Sequence, residues 1–224
     1  MDGNGRWASR RGLARSEGHR AGVESARAIV VRCREIGLPC LTLYTFSKEN
    51  WNRPAEEVGF LFDLLASFLG KELPTLMEQD IRLTVLGELS AVPFAARQAL
   101  KLALKKTARN TSMLLNLAIN YSGREEILRA CRRLLAEGLP PEELTEERFR
   151  RHLYTGEQPD PDLIIRTSGE LRLSNYLLFQ AAYAEFYFTE TLWPDFTPAE
   201  LDRALVDFAG RQRRFGQTEE QLGD

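Results

Sequence analysis

The hydrophobic pattern alternates between short apolar runs and longer amphipathic segments. Five runs are rich in leucine, isoleucine, valine, threonine or aromatic residues, and several are nearly unbroken, as expected of strands buried on both faces of a parallel sheet. They occupy residues 41–46, 81–87, 114–120, 162–166 and 184–189. Because these runs alternate with amphipathic segments, the pattern predicts an α/β fold with a mainly parallel central sheet flanked by helices.

The amphipathic segments repeat an apolar residue every three or four positions, which predicts helices. They cover residues 17–36, 55–70, 93–108, 123–137, 145–153, 174–181 and 197–214. The last begins with Thr197, Pro198 and Glu200, a combination that favours a helix start. The helix at 55–70 is apolar on two sides, which is typical of deep burial or of an interface.

Composition narrows the class of protein. A chain of 224 residues suits a single domain over 1–224 that can bury a sizeable core. The formal net charge of −2 gives no reason to expect nucleic acid as a partner. The three cysteines show neither metal-ligand spacing nor even pairing, which indicates reduced thiols in a cytoplasmic protein. No segment approaches the length of a membrane span, so we expect any contact with the inner membrane to be peripheral.

The first eight residues, Met-Asp-Gly-Asn-Gly-Arg-Trp-Ala, carry the most chemical information. The Asp2 carboxylate could hold a Mg²⁺ ion that binds phosphate. Gly3 and Gly5 allow backbone amides to approach an anionic oxygen closely, and Arg6 offers a planar fork of donors for phosphate oxygens. Taken alone, the segment could equally be a glycine-rich tail that forms turns.

Two more polar segments directly follow predicted strands. Ser47–Arg53 follows the first strand, and it reads equally well as an ordinary strand-to-helix turn. Arg166 and Arg172 lie on either side of a Ser-Gly pair after the fourth strand and form a credible anion cradle; an exposed loop of ion pairs is the less favoured alternative. Both segments fit the rule that sites in parallel sheets lie beyond the carboxyl ends of the strands.

Glu185 lies within an apolar run of the last predicted strand. A buried carboxylate without a partner is costly, so this position predicts a neighbouring cation. Glu57 allows two interpretations, an acidic residue of the 47–53 loop or a side chain that favours the positive N-terminus of the next helix.

Taken in order, these motifs resemble those of the cis-prenyltransferases, most closely the bacterial undecaprenyl diphosphate synthases. The matching segments run almost from end to end, and several motifs in one order are far more specific than any single one. They are the first eight residues, Gly18-His19, Asn50–Pro54, Asn120-Tyr121, Ile165–Thr167, Arg172–Asn175, Ala182–Glu185, Trp193–Phe196 and Arg214–Gly216.

The resemblance implies a transferase that uses Mg²⁺ to condense isopentenyl diphosphate with an allylic diphosphate, such as farnesyl diphosphate, in cis geometry. The implied product is a long-chain polyprenyl diphosphate, undecaprenyl diphosphate for a cell-wall lipid carrier, made in a hydrophobic tunnel between sheet and helices of a homodimer. Two alternatives stay open, a shorter-product enzyme and a non-catalytic or truncated partner subunit, although such subunits lose the aspartate that Asp2 matches. Trans-prenyltransferases and P-loop enzymes are disfavoured because Asp-Asp-x-x-Asp and Gly-Lys-Ser/Thr are absent.

The resemblance also implies a role for each matching residue. The catalytic residues would be Asp2 and Asn50, and the metal ligands Asp2 and Glu185. The residues around the allylic diphosphate would be Gly3, Asn4, Gly5, Arg6, Arg15 and His19, with Trp7 at the start of the hydrocarbon path. The mobile catalytic loop would contribute Ser47, Trp51 and Arg53, and the isopentenyl diphosphate pocket Arg166, Arg172 and Ser174.

One feature departs from the family pattern. Family members normally carry an apolar strand directly before the aspartate motif, and here Met1 stands where that strand would end. Since chain termini are mobile unless they are tied down, we expect Asp2 to be held loosely.

Overall fold

Parallel strands and intervening helices follow the hydrophobic pattern closely. The computed structural model describes residues 1–212. Its strands are β1 Cys40–Ser47, β2 Ile81–Leu86, β3 Met113–Tyr121, β4 Leu163–Arg166 and β5 Glu185–Phe188. Its helices are α1 Asn4–Ser9, α2 Arg15–Glu35, α3 Ala55–Glu78, α4 Phe94–Thr107, α5 Gly123–Ala136, α6 Glu146–Arg151 and α7 Pro198–Ala209.

The predicted α/β class with parallel strands is confirmed, and each strand end lies within one residue of its predicted position. The strands form two sheets rather than one. A three-stranded sheet has the order β1–β3–β2, and a two-stranded sheet pairs β4 with β5. All of these pairings are parallel, so the carboxyl ends of neighbouring strands meet at one edge.

The core lies between the three-stranded sheet and helices α2, α3 and α4. Fully buried side chains such as Leu100 of α4 and Ile119 of β3 fill it. One charged pair crosses this layer, because Arg27 of α2 donates from Nε to Glu72 Oε2 of α3 at 3.0 Å. Glu72 is buried, so its carboxylate depends on this partner, and the pair ties α2 to α3.

The prediction of a helix at 174–181 is wrong. Ser174, Asn175 and Leu177 instead have φ angles of 50°, 62° and 44°, which belong to turns, and a short 3-10 helix follows at Gln180–Tyr183. The Asn175 side chain donates to Ser122 Oγ at 2.8 Å and accepts from the backbone N–H of Arg124 at 2.9 Å. Side-chain bonds to neighbouring elements therefore replace a helical ladder here.

Other boundaries differ less. Helix α3 continues through Pro74 to Glu78, beyond its predicted end at 70. Helix α1 was not predicted, because its glycines and polar residues show no apolar period. The last helix ends at Ala209, and the final two residues of its predicted range, 213–214, lie outside the described residues.

A cavity of about 1060 Å³ separates the two sheets. Residues 41–45 of β1 and 163–165 of β4 both line it. Among residues 1–212, β1 pairs only with β3 and β4 only with β5, so each strand presents an unpaired edge to this space.

We predict that a five-residue segment rich in valine and isoleucine, joined directly before Met1, will enter this space. Burial of each such side chain contributes about 1.5–3 kcal/mol, and each backbone hydrogen bond to an unpaired strand edge contributes about 0.5–1.5 kcal/mol. Together these contributions exceed the cost of about 1.5–3 kcal/mol for ordering the backbone and side chain of one residue. The melting temperature should therefore rise by about 5 °C or more. A glycine-serine segment of equal length is the control, and equal melting temperatures for the two variants would show that no strand is accepted.

Candidate active site

The segment around Asp2 is anchored to the chain that follows β4. The Asp2 carbonyl accepts from Thr167 Oγ1 at 2.9 Å, from Ser168 Oγ at 2.6 Å and from the backbone N–H of Trp193 at 3.0 Å. Its own N–H donates to Thr167 Oγ1 at 3.1 Å. The expectation that Asp2 is held loosely is therefore wrong.

Two glycines permit this close packing. Gly3 has a φ of 108°, and a Cβ there would lie 2.2 Å from Ser168 Oγ. At Gly18 of α2, a Cβ would lie 2.0 Å from the carbonyl oxygen of Asn4. Any larger residue at either position would push α1 away from α2 or from the end of β4.

The Asp2 carboxylate lies between two arginines. Its Oδ2 is 3.1 Å from Arg166 Nη2, and its Oδ1 is 3.6 Å from Arg6 Nη2. Arg6 also donates to the carbonyl of Ser168 at 3.0 Å and pairs with Glu170 at 3.1 Å. The Asp2 side chain stays 42% exposed and lines the cavity.

Arg166 connects Asp2 to the loop after β4. Its Nη1 donates to Ser174 Oγ at 2.7 Å and to the carbonyl of Arg172, whereas its buried Nε has no partner among the described residues. The Arg172 guanidinium pairs with Glu170 and remains 64% exposed. The predicted isopentenyl diphosphate residues thus come together, with Arg166 nearest to Asp2.

A second cluster forms around one oxygen of Glu57. Arg15 Nη2, His19 Nε2 and Arg53 Nη1 lie 3.3, 3.3 and 3.2 Å from Glu57 Oε1. Burial favours the neutral acid, but the bonds and charges of these arginines hold the pKa of the Glu57 carboxyl below its usual range. Burial lowers the pKa of His19 despite Glu57. The Arg15 guanidinium also lies against Gly5, 3.1 Å from the position of a Cβ there.

Neither sequence interpretation of Glu57 predicted this role. The only signal was its place four residues after Arg53, a spacing that lets two side chains meet on one helical face.

Asn50 shapes the turn after β1. Its Oδ1 accepts from the backbone N–H of Ser47 at 3.0 Å, while the Ser47 side chain caps the turn in return. Trp51 donates from Nε1 to Asn120 Oδ1 at 2.8 Å and packs against Phe46 and Phe62. Trp51 is therefore part of the aromatic core and secures the loop, rather than lining the cavity.

The cavity between the sheets opens at this site. Of the predicted site residues, all line it except Trp7, Trp51 and Glu185. Trp7 does not line this cavity; its Nε1 donates to Asp195 Oδ1 at 2.7 Å, and Arg11 lies 4.2 Å over its ring.

Glu185 pairs with a cation, as its position in the sequence predicts, but this ion pair lies away from Asp2. It pairs with Arg211 at 2.9 Å and lies opposite Leu163 in the register of β4 and β5. Asp2 binds Thr167, four residues further along, which is about 13 Å at 3.3 Å per residue. The structure therefore does not bring Glu185 and Asp2 together within one chain.

The site offers one carboxylate for a metal ion. Within residues 1–212, no group of three histidine, cysteine, aspartate or glutamate side chains could hold a metal ion. Mg²⁺, however, is commonly held by one or two carboxylates together with substrate phosphates, and Asp2 among arginines fits that arrangement. Burial lowers the pKa of the Met1 amino group to about 6, so this group adds little positive charge beside Asp2 at pH 7.

Comparisons with known proteins agree with this geometry. The profile of a family described as putative undecaprenyl diphosphate synthase matches residues 1–216. The isoprenyl transferase of Heliobacterium mobile is 52% identical over 220 residues, which are 96% of this chain and 85% of that protein. The isoprenyl transferase of Clostridium tetani is 48% identical over 220 residues, 96% of this chain and 86% of that protein.

Two solved structures are similar over most of their length. Lavandulyl diphosphate synthase from Lavandula x intermedia, in complex with dimethylallyl diphosphate, has a TM-score of 0.94 at 38% identity and covers 97% of this chain and 95% of its own. A probable undecaprenyl diphosphate synthase from Campylobacter jejuni has a TM-score of 0.79 at 37% identity, with coverages of 88% and 93%. With the profile spanning residues 1–216 and relatives close to half identical, this chain is a prenyltransferase that belongs to the undecaprenyl diphosphate synthase family, the cis-prenyltransferases.

Proposed function

We propose that this prenyltransferase condenses isopentenyl diphosphate with an allylic diphosphate in cis geometry to form a long-chain polyprenyl diphosphate, undecaprenyl diphosphate for a cell-wall lipid carrier. The observation that carries the proposal is the Asp2 carboxylate at the cavity, between Arg166 at 3.1 Å and Arg6 at 3.6 Å. Each arginine belongs to a different predicted diphosphate pocket. Asp2 thus lies where two diphosphates would meet.

The two cation clusters support two separate pockets. Arg15, His19 and Arg53 gather around Glu57 and would surround the allylic diphosphate, near the backbone amides of residues 3–5. Arg166, Arg172 and Ser174 would hold isopentenyl diphosphate. Guanidinium groups suit both sites because they form paired, charge-assisted hydrogen bonds to phosphate oxygens.

The reaction breaks the allylic C–O bond, forms a C–C bond to isopentenyl diphosphate and releases a proton from the isopentenyl carbon. Arg6 and Arg15 would stabilise the charge that develops on the leaving diphosphate, since they are already positioned before the bond breaks. Asp2 would hold Mg²⁺, which when bound supplies further neutralisation of phosphate charge. The Asn50 amide has no basic site at neutral pH, so it would orient the loop rather than accept the proton.

The hydrocarbon product needs an apolar path. A small cavity of about 30 Å³ lies between α2, α3 and the sheet. Its apolar lining includes Val30, Leu69, Leu83 and Leu117, and the Arg27–Glu72 pair also borders it. A long product would have to move α2 away from α3.

A shorter product is the second candidate. The likeness to lavandulyl diphosphate synthase, with a TM-score of 0.94, favours it. The match of the undecaprenyl diphosphate synthase profile to residues 1–216 and the likeness to a probable undecaprenyl diphosphate synthase at 37% identity favour the long product instead.

The direct test is incubation with farnesyl diphosphate, labelled isopentenyl diphosphate and Mg²⁺, followed by chromatographic sizing of the product. We expect a ladder that extends to long chains, whereas a ladder that ends after one or two additions would support the second candidate.

Asp2→Ala should abolish condensation without unfolding the protein, because it removes a half-exposed carboxylate while the backbone bonds of residue 2 remain. Near-normal turnover of this variant at saturating Mg²⁺ would contradict the role of Asp2.

Arg166→Ala and Arg172→Ala should chiefly weaken isopentenyl diphosphate. Each variant removes a charge-assisted contact of roughly 1.5–3 kcal/mol, so KM for this substrate should rise about ten- to hundredfold. Steady-state kinetics with each substrate varied separately gives the comparison. The Arg172→Ala variant is easier to interpret, because Arg166 also contacts Asp2. A rise in KM confined to the allylic substrate would show that the two pockets are exchanged.

We further propose a homodimer. Tyr183, Phe188 and Val206 are 66%, 39% and 74% exposed, and large exposed apolar side chains are typical of interfaces. Light scattering at micromolar concentration should give twice the mass of one chain. A monomer mass would refute the assembly.

A further inference from the structure

The outer face of helix α4 differs from the rest of the surface. Its exposed side chains fall within an arc of roughly 140° at about 3.6 residues per turn. They are Phe94, Ala95, Gln98, Lys101, Leu102, Lys105 and Lys106. On the opposite face, Ala96, Leu100, Ala103 and Thr107 are buried where α4 packs against α3. The helix is thus firmly seated and presents one continuous stripe outward.

This stripe has only one sign of charge. No aspartate or glutamate occurs between Glu88 and Glu125, although the chain as a whole has a net charge of −2. Within the described part of the chain, Lys101, Lys105 and Lys106 form no ion pair, whereas most of the exposed arginines on the other helices do. The positive charge of the stripe is therefore uncompensated by the protein.

Two large apolar side chains lie within the same stripe. Phe94 is 69% exposed and Leu102 is 51% exposed, and they lie about two helical turns apart, interleaved with the three lysines across the arc. The lysines around them carry long aliphatic stems that can lie along an apolar layer while the ammonium groups reach the headgroups.

We propose that the outer face of α4 docks on an anionic lipid bilayer, with Phe94 and Leu102 entering the interfacial layer and Lys101, Lys105 and Lys106 contacting lipid phosphates. Basic residues on the polar side of an amphipathic helix together with exposed aromatic and leucine side chains are the recognised chemistry of such docking. No helix within residues 1–212 is long and apolar enough to cross a bilayer, so the contact lies in the plane of the surface.

Nucleic acid would also attract the lysines, but it would leave Phe94 and Leu102 exposed to water without a partner. The combination of cations and apolar side chains in one stripe therefore favours lipid. The docking does not depend on which product the enzyme makes, since it is argued from the surface of α4 alone.

The test is co-sedimentation of the full chain with vesicles of phosphatidylcholine containing about one third phosphatidylglycerol, compared with pure phosphatidylcholine. The protein should bind the anionic vesicles and lose most of this binding when NaCl rises to about 0.5 M. The triple variant Lys101→Glu, Lys105→Glu, Lys106→Glu should bind at least about a hundredfold more weakly. The Phe94→Ser variant, which keeps all three lysines, should bind the anionic vesicles about tenfold more weakly.

The matched control reverses the charge of three exposed arginines on α5 and α6. It carries Arg133→Glu, Arg148→Glu and Arg151→Glu, so it changes the net charge by the same amount as the α4 variant. This control should lose far less binding than the α4 variant, and the α4 variant should retain its melting temperature and its turnover with soluble substrates. Equal losses for the two triple variants, or equal binding to both vesicle types, would overturn the proposal. Tighter binding to a nucleic acid duplex than to anionic vesicles, abolished by the α4 variant, would equally overturn it.

Discussion

Three hydrogen bonds to the carbonyl oxygen of Asp2 hold the site together. They come from Thr167, Ser168 and the backbone of Trp193, and they join the start of the chain to the end of β4. Because Gly3 follows directly in a left-handed conformation, the chain then turns into α1 and places Arg6 back beside the Asp2 carboxylate. Without these bonds, the Asp2 carboxylate and Arg6 would lose their fixed positions beside Arg166, which strand β4 holds in place.

Charge balance explains how so many cations can share one cavity. Arg15 and Arg53 meet on a single oxygen of Glu57, which the His19 ring also contacts, and the Glu57 side chain is only 13% exposed. This carboxylate satisfies the cations before any substrate arrives, and it keeps Arg53 of the loop close to Arg15 of α2. An incoming diphosphate would compete with Glu57 for the same donors, so part of its binding energy is used to exchange one anion for another.

The sequence predicts the strands well because each carries a nearly continuous run of apolar, aromatic or threonine side chains, most completely in β3, which is buried along most of its length. It fails where side chains rather than periodicity decide the structure. The 174–181 segment resembles a helix, yet Asn175 bonds to Ser122 and Arg124 instead. Most predicted site residues do line one cavity, because the ends of parallel strands converge there. Trp7 and Glu185 instead bind Asp195 and Arg211. These partners lie far from them along the chain, so no local sequence pattern reveals the contacts.

The central claim is that Asp2 marks the meeting point of two diphosphate pockets and holds the metal ion there. The most direct measurement is diffraction from crystals grown with Mn²⁺, an unreactive allylic thiodiphosphate and isopentenyl diphosphate. The account predicts an anomalous peak within about 2.5 Å of an Asp2 carboxylate oxygen, with one diphosphate near Arg15 and the other near Arg166. A metal ion bound elsewhere, with Asp2 still paired to both Arg6 and Arg166, would contradict it.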